Sequence, residues 1–217
     1  MKRHLQVNEI FFSIQGESTH AGRPCLFVRL KGCPLRCTYC DTEYAFFEGQ
    51  AKSFDDIFEE MQKLSSVNLV EVTGGEPLAQ PETKEFINEL FQKNYEVLIE
   101  TSGAFSVEGL NPKTKIILDI KTPGSGESRR QLWDNLGLLK PGLDEVKFVV
   151  TSKTDFDYAV GVCTEKKLFE KVTCLVSPSW AKLSLKELSE WVLSSQKPFR
   201  LQTQLHKHIW GSEVRGV

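Results

Sequence analysis

Short apolar runs rich in β-branched residues alternate with longer segments of helical periodicity, and this alternation limits the fold more than any other feature. The runs predicted to be strands are Leu26–Leu30, Leu69–Thr73, Val97–Thr101, Ile116–Ile120, Val146–Val150, Val172–Val176 and Phe199–Gln202. The segments predicted to be helices are Phe54–Leu64, Thr83–Lys93, Asp155–Leu168 and Leu185–Leu193, with Ser53 and Ser184 as N-caps of the first and last. Strands that alternate with helices pair in parallel through right-handed crossovers. Six or seven strands are too few for an eightfold barrel of about 250 residues. We therefore predict an α/β fold, a shortened or incomplete (β/α) barrel formed by residues 1–217 as a single domain.

Composition excludes several classes of protein. The chain has 27 basic and 29 acidic side chains, with 40% hydrophobic and 26% charged residues, which is the balance of an ordinary globular protein. A formal net charge of −2 gives no basic bias, so we expect no direct contact with nucleic acid. No apolar run reaches the roughly 18–20 residues of a membrane span. The first residues lack the apolar block of a signal peptide, so we expect a cytoplasmic protein.

Polar or glycine-rich segments follow five of the predicted strands. These segments are Gly32-Cys33, residues 74–77, Ser102-Gly103, residues 121–123 and residues 177–179. In parallel α/β folds the carboxyl ends of the strands lie on one face and carry the chemistry. The sequence therefore predicts a functional site on that face.

Three of the six cysteines lie within eight residues, and Cys33, Cys37 and Cys40 have the spacing C-x3-C-x2-C. A structural zinc site usually has four ligands, and the fourth could be Cys25 or His20. A four-iron cluster that only carries electrons normally binds four cysteines. Three cysteines leave one iron open to a substrate or cofactor. The residues by themselves thus allow either a non-catalytic metal module or a catalytic cluster.

The cysteine spacing, with Tyr39 just before the last cysteine, resembles that of the radical S-adenosylmethionine (radical SAM) superfamily. The resemblance implies a [4Fe–4S] cluster on Cys33, Cys37 and Cys40, whose open iron binds S-adenosylmethionine. One electron from the cluster cleaves this cofactor to a 5′-deoxyadenosyl radical, which abstracts a hydrogen atom from the substrate. It also implies a one-electron reductant, such as a flavodoxin-like protein.

The segment Thr73–Pro77 supports this resemblance. Its two glycines allow a close approach of the backbone, and Glu76 could face an ammonium group. In the superfamily this segment holds the methionine amino group. The cofactor contacts that the resemblance implies are Tyr39, Cys40, Asp41, Gly74, Gly75, Glu76, Glu100, Ser102, Asp119, Lys121 and Ser177.

Further motifs, spread over both ends and the middle of the chain, resemble the 7-carboxy-7-deazaguanine synthase family. They are S-I-Q-G-E at 13–17, G-R-P at 22–24, F-V-R-L-K-G-C at 27–33, C-D-T at 40–42, D-I-K-T-P-G-S-G at 119–126 and Q-L-H-K at 204–207. The resemblance implies ring contraction of 6-carboxy-5,6,7,8-tetrahydropterin to 7-carboxy-7-deazaguanine, with loss of ammonia. This is a carbon–nitrogen lyase reaction of queuosine and 7-deazapurine biosynthesis. The family also implies a homodimer and Mg2+ bound by Thr42, although Thr42 could instead cap a helix.

Some expectations for the substrate site come from the residues themselves. Period-two alternation places Arg29 on the inner side of its strand, where it could bind a carboxylated pterin or form an ion pair with Glu17 or another acid. Gln15 and Glu17 could hydrogen-bond a guanine-like edge, and His206 and Lys207 could reach the substrate from the last strand. The substrate-binding set that we predict is Ile14, Gln15, Gly16, Glu17, Arg29, Thr73, His206 and Lys207.

The nearest alternative is a glycyl-radical activating enzyme, which has the same cysteine spacing but acts on a protein backbone. The segment at 13–17 and Arg29 argue against it.

Overall fold

The computed structural model describes residues 3–217, which form nine strands and six α-helices. The strands are β1 His4–Ile14, β2 Pro24–Leu30, β3 Gln50–Ser53, β4 Leu69–Gly74, β5 Glu96–Thr101, β6 Lys115–Asp119, β7 Glu145–Val150, β8 Thr173–Pro178 and β9 Phe199–Leu201. The helices are α1 Phe54–Leu64, α2 Thr83–Gln92, α3 Asn135–Leu138, α4 Lys153–Glu165, α5 Leu185–Ser195 and α6 Leu205–Trp210.

All nine strands belong to one sheet, in the order β3-β1-β2-β4-β5-β6-β7-β8-β9. From β2 to β9 each neighbouring pair is parallel, whereas β1 is antiparallel to both β2 and β3. The two ends of the order, β3 and β9, are edges that do not pair with each other. The prediction of a mostly parallel, incomplete barrel is therefore confirmed.

Helices α1 to α5 cover one face of the sheet and form the main core with it. Helix α1 begins with a capping box between Ser53 and Asp56, and its apolar side packs into this core. The buried Phe86 of α2 packs against Phe54 and Phe58, with ring centroids 5.2 and 5.4 Å apart. Apolar residues of the strands, such as Val28, complete this side.

The other side, which we call the inner face, changes character along the strands. Near the amino ends it carries a small apolar cluster of Phe11, Cys25, Phe27, Leu69, Leu98 and Ile117. Two residues further along each strand the same face carries polar groups, because side chains repeat on one face with period two. On β2, for example, Arg29 follows Phe27, and on β6 Asp119 follows Ile117. The parallel register thus gathers charged groups from distant parts of the chain at the carboxyl ends.

The structure corrects several predicted elements. Strands β1 and β3 and helices α3 and α6 were not predicted, and α4 begins at Lys153 because Ser152 is its N-cap. The prediction that His206 and Lys207 reach the site from the last strand is wrong: β9 ends at Leu201, and both residues lie on α6.

No helix within residues 3–217 is both long enough and apolar enough to cross a membrane.

Candidate active site

A cavity of about 640 Å³ lies at the carboxyl ends of the parallel strands. Its lining includes every residue predicted for the site except Glu76. The structure therefore brings together side chains from both ends and the middle of the sequence.

The cysteine loop, residues 33–40, follows β2 and is anchored to residues 124–127. The amide of Arg36 donates to Glu127 Oε1 (2.6 Å), and the amide of Thr38 donates to the carbonyl of Ser125 (3.0 Å). The Thr38 hydroxyl donates to the carbonyl of Gly124 (2.7 Å). The glycine-rich motif at 119–126 thus has a direct structural task, which is to hold the cysteine loop.

The thiols of Cys33, Cys37 and Cys40 are free, partly buried and exposed to the cavity. Burial raises the pKa of Cys33 and raises that of Cys37 to about 11, while the Lys121 ammonium opposes both shifts. Within residues 3–217 no three Cys, His, Asp or Glu side chains converge closely enough to hold a single metal ion. A four-iron cluster binds each thiolate through a different iron, so three free thiols on one loop beside a cavity fit it.

The two additional ligands considered for zinc lie elsewhere. Cys25 is fully buried at the amino end of β2, and His20 Nε2 lies 3.1 Å from Glu96 Oε1 at the amino end of β5. Neither lines the cavity that the three clustered cysteines face.

Gly74 and Gly75 allow the loop after β4 to pack against the cysteine loop. A Cβ atom at Gly75 would overlap the carbonyl oxygen of Gly32 and lie 2.9 Å from Cys33 Cβ. Gly74 has φ +148°, and a Cβ there would overlap the backbone of Leu30. The close approach expected of these glycines is thus made to the protein's own backbone.

The prediction that Glu76 faces an ammonium group in the cavity is wrong. Its carboxylate is fully buried and accepts hydrogen bonds from the Leu78 amide (2.9 Å), the Thr101 hydroxyl (2.8 Å) and the Ser102 amide (2.8 Å). The Ser102 hydroxyl donates to the same carboxylate. Glu76 therefore joins the loops that follow β4 and β5, and it orients Ser102, which does line the cavity.

Asp119 and Lys121 lie close to the cysteine loop. Lys121 Nζ donates to Asp119 Oδ2 (2.7 Å), whereas Asp119 Oδ1 is buried and has no hydrogen-bond partner in the part of the chain that the structure describes. Burial alone would lower the pKa of Lys121, but Asp119, Tyr39 and Cys37 together raise it. A buried, unpartnered acceptor in a cavity fits a ligand that donates a hydrogen bond, as the hydroxyl and ammonium groups of S-adenosylmethionine do.

Lys147 lies at the centre of the inner face and was not predicted. Its side chain is only 4% exposed. The ammonium donates to Glu17 Oε2 (3.0 Å) and to Glu100, and it lies 3.9 Å from Asp119 Oδ2. Burial opposes its charge, but these carboxylates raise its pKa well above the ordinary value. The sequence does contain a feature that could have identified Lys147, because it is a lysine within an otherwise apolar predicted strand.

Glu71, also not predicted, is buried beside this group. Gln15 Nε2 donates to Glu71, and Gln15 Oε1 accepts from the Glu17 amide (2.9 Å). Burial and the nearby Glu100 raise the pKa of Glu71 well above its ordinary value, although Lys147 opposes the shift. The raised pKa favours the neutral carboxylic acid form of Glu71.

Arg29 lines the cavity and is paired with an acid. Its Nε donates to Glu9 Oε1 (2.7 Å), which also accepts from the Tyr44 hydroxyl (3.0 Å). Glu9 lies opposite Arg29 in the register of β1 and β2. Of the acids that the sequence allowed as its partner, the structure selects Glu9 rather than Glu17.

Helix α6 contributes His206 and Lys207 to the lining of the cavity. Gly16 packs so closely against it that a Cβ there would overlap the ring of His206. Burial lowers the pKa of His206, which favours the neutral imidazole. Lys207 Nζ lies 2.6 Å from Asp41 Oδ2, and this ammonium outweighs the effect of burial and lowers the pKa of Asp41 to about 2.

Thr42 precedes the short 3-10 turn Glu43–Phe46, but its side chain makes no capping hydrogen bond. Its hydroxyl lies 3.8 Å from Cys40 Sγ and lines the cavity. The alternative of a helix cap is therefore wrong.

Comparisons with known proteins agree with this geometry. The model of the radical SAM superfamily matches residues 27–121. The chain is 41% identical to the 7-carboxy-7-deazaguanine synthase of Koribacter versatilis, over 98% of this chain and 100% of that protein. It is 40% identical to the enzyme of the same name from Chlorobaculum tepidum, over 98% and 97%. The crystal structure of QueE from Escherichia coli shares the fold, with a TM-score of 0.78, 22% identity, and coverage of 94% of this chain and 95% of that one.

The framework role of Glu76 can be tested with Glu76→Gln. An amide offers one acceptor oxygen and brings an N–H group against donors, so we expect a loss of about 1.5–3 kcal/mol in the free energy of unfolding. Urea denaturation measures this loss, with the exposed Glu108→Gln as the matched control. Unchanged stability together with lost S-adenosylmethionine binding would instead place Glu76 in contact with the ligand.

The raised pKa of Glu71 predicts that the stability of the protein depends on pH. A carboxyl whose pKa is higher in the folded state holds an extra proton there above its ordinary value of 4.5, so its contribution to stability decreases as the pH rises. The raised pKa of Lys147 makes stability depend on pH only in the alkaline range, above the ordinary lysine value of 10.5. Glu71→Gln keeps an acceptor for Gln15 and cannot ionise. We expect its free energy of unfolding to rise relative to wild type as the pH increases from 4.5 towards neutrality, by at most about 1.4 kcal/mol per pH unit. Urea denaturation across this range tests it, and a difference that stays constant with pH would contradict it.

Proposed function

Because the chain belongs to the 7-carboxy-7-deazaguanine synthase family, we propose how the residues of this cavity carry out the family's reaction. The protein is a radical SAM enzyme that contracts 6-carboxy-5,6,7,8-tetrahydropterin to 7-carboxy-7-deazaguanine with loss of ammonia, in 7-deazapurine biosynthesis. The observation that carries this function is the identity of 41% over nearly the full length of both chains. The cavity at the carboxyl ends of the strands supports it, since three free cysteines lie there beside a buried charged floor.

At one end of the cavity, Cys33, Cys37 and Cys40 would hold the [4Fe–4S] cluster. When bound there, the reduced cluster and S-adenosylmethionine would supply the radical chemistry that abstracts a hydrogen atom from a substrate. The unpartnered Asp119 Oδ1 would accept a hydrogen bond from the cofactor. Lys121 fixes the Asp119 carboxylate, and Glu76 fixes Ser102 on the adjacent loop.

At the other end, the floor of the cavity presents groups of opposite hydrogen-bonding character. Glu17 and Glu100 are both paired with the Lys147 ammonium, and their carboxyl oxygens can accept hydrogen bonds from the N–H groups of a pterin. The raised pKa of Glu71 favours its carboxylic acid form, which can donate a hydrogen bond. Arg29 would bind the carboxylate of the substrate by a charge-assisted contact while it remains paired with Glu9.

We also place a Mg2+ ion at Thr42. A hard cation prefers oxygen ligands and commonly combines one protein oxygen with water and substrate oxygens. The Thr42 hydroxyl supports this role because it faces the cavity and caps no helix. The Thr42 hydroxyl and the carboxylate of the substrate would both bind the ion, and this would help to orient the pterin in the cavity.

The organisation of the enzyme is also part of this proposal. Residues 1–217 would act as a single radical SAM domain, which is supported by the one sheet that contains all strands of residues 3–217. The family resemblance suggests a homodimer and a flavodoxin-like reductant. A cytoplasmic location suits a cluster that requires reduced thiols.

The function is tested by anaerobic reconstitution and an assay with S-adenosylmethionine, dithionite, Mg2+ and 6-carboxytetrahydropterin, followed by mass spectrometry. We expect 7-carboxy-7-deazaguanine from the wild type, and neither product nor the visible absorption of the cluster from Cys37→Ala. Formation of 5′-deoxyadenosine without the product would contradict the substrate and favour a glycyl-radical activating enzyme. The absence of both products from cluster-loaded wild type would favour a non-catalytic metal module.

The role of Arg29 predicts a selective defect in Arg29→Ala. Loss of a charge-assisted contact should weaken pterin binding by about 1.5–3 kcal/mol and leave S-adenosylmethionine binding nearly unchanged. Calorimetric titration of each ligand measures the two effects. The control is Arg23→Ala, which removes an exposed arginine paired with Glu96 at the opposite end of the sheet. Equal loss of both ligands would make Arg29 a structural residue.

A further inference from the structure

Glu71 interrupts an otherwise apolar layer at the floor of the cavity. In the parallel register it pairs with Phe27 of β2 and Leu98 of β5, which both belong to the small apolar cluster of the inner face. Its residue is only 3% exposed, yet it lines the cavity. An apolar side chain would complete this layer, whereas a buried carboxyl group costs stability unless its oxygens find partners. We therefore ask which group meets each of the two oxygens.

The protein itself meets one of them. The Glu17 amide can only donate, so Gln15 turns its Oε1 to that amide (2.9 Å) and its Nε2 to Glu71 Oε2. Within residues 3–217 the carboxyl group of Glu71 forms no hydrogen bond besides this one with Gln15. The second oxygen, Oε1, is thus left for a ligand in the cavity.

The surroundings of Glu71 determine whether this oxygen donates or accepts. The charged side chains that face it from the neighbouring strands and from the loop after β1 are Glu17, Arg29, Glu100 and Lys147. Burial and Glu100 raise the pKa of Glu71, while Lys147 opposes the shift. The carboxylic acid form is favoured, and because Oε2 accepts from Gln15, its proton is carried by Oε1. Oε1 is therefore a donor.

A pterin offers a matching acceptor. Its pyrimidine ring carries N–H groups at N2 and N3 and, directly beside them, the carbonyl oxygen O4. Glu17 and Glu100 can accept from the N–H groups, so the next protein group along this edge has to donate. O4 and the 6-carboxylate flank the same side of the pterin. We have placed that carboxylate at Arg29 of β2, and Glu71 lies on β4, the parallel neighbour of β2.

We propose that Glu71 is a specificity-determining residue that contacts the substrate, donating a hydrogen bond from Oε1 to the pyrimidine carbonyl oxygen O4. This contact rests on the proposed function, because it requires a pterin in the cavity. It makes the site select a 4-oxo ring and reject a 4-amino ring, since an amino group there would bring a donor against a donor.

The test compares two stable ligands that differ at this position, 6-carboxypterin and 2,4-diaminopteridine-6-carboxylic acid. Each is titrated calorimetrically into cluster-loaded protein with S-adenosylmethionine and Mg2+, without a reductant, so that no turnover occurs. Glu71→Gln keeps a donor for O4 and an acceptor for Gln15, whereas Glu71→Met has a similar length and offers neither. The control is Glu145→Gln, which makes the same change at a buried glutamate of β7 that does not line the cavity.

We expect wild type and Glu71→Gln to bind 6-carboxypterin at least about tenfold more tightly than the diamino ligand. Glu71→Met should bind 6-carboxypterin at least about tenfold more weakly than wild type, because O4 loses its donor. Its affinity for the diamino ligand should not fall, because that ligand never received the hydrogen bond. Glu145→Gln should keep the affinities of wild type.

Three results would overturn this contact while leaving the proposed function intact. Unchanged binding of 6-carboxypterin to Glu71→Met would show that Glu71 does not touch the ligand. Equal weakening of both ligands would show that Glu71 only positions Gln15. A wild type that prefers the diamino ligand would show that Glu71 accepts a hydrogen bond instead of donating one. Failure of the proposed function is a different result: wild type that binds neither ligand, or that forms no 7-carboxy-7-deazaguanine from 6-carboxytetrahydropterin.

Discussion

The ammonium of Lys147 is the charge on which the arrangement of the inner face depends. Carboxyl groups of Glu17, Glu71, Glu100 and Asp119 lie near it in a largely buried region, where several unbalanced charges would be very costly. One cation cannot neutralise four acids. Two features reduce this excess: the pKa of Glu71 is raised, and Asp119 is also paired with Lys121. The same balance decides which groups accept hydrogen bonds from a substrate and which one can donate.

Sequence periodicity predicted those elements in which burial is one-sided and local. The seven strands and four main helices were placed to within about three residues because their apolar residues repeat with the period of the element. Strand β1 was not predicted because it mixes charged and apolar residues, and its pairing depends on the hairpin with β2. Helix α6 is short and carries two basic residues toward the cavity, so it lacks the apolar pattern that marks a core helix.

The sequence predicted the residues of the candidate site that lie on loops and missed others that lie on strands, for a related reason. Motifs identified the residues on loops, where chemistry is concentrated in a few positions of recognisable spacing. They did not identify Lys147 or Glu71, because the partners of these residues lie far away along the chain: Glu17 is 130 residues from Lys147. Glu76 was assigned a ligand contact that it does not make. It belongs to the motif at 73–77, but its carboxylate accepts hydrogen bonds only from the protein's own amides and hydroxyls, and the sequence does not contain this information.

The two ends of the cavity are held by different interactions, and this difference suits the proposed binding of the substrate at one end and of the cluster at the other. The floor at Lys147 is buried and densely paired, so its side chains are positioned before a substrate arrives. The cysteine loop is held largely by backbone hydrogen bonds to residues 124–127 and remains partly exposed, with its cations unpaired by acids. A cluster bound at the loop would therefore leave undisturbed the ion pairs of the floor that we propose to orient the substrate.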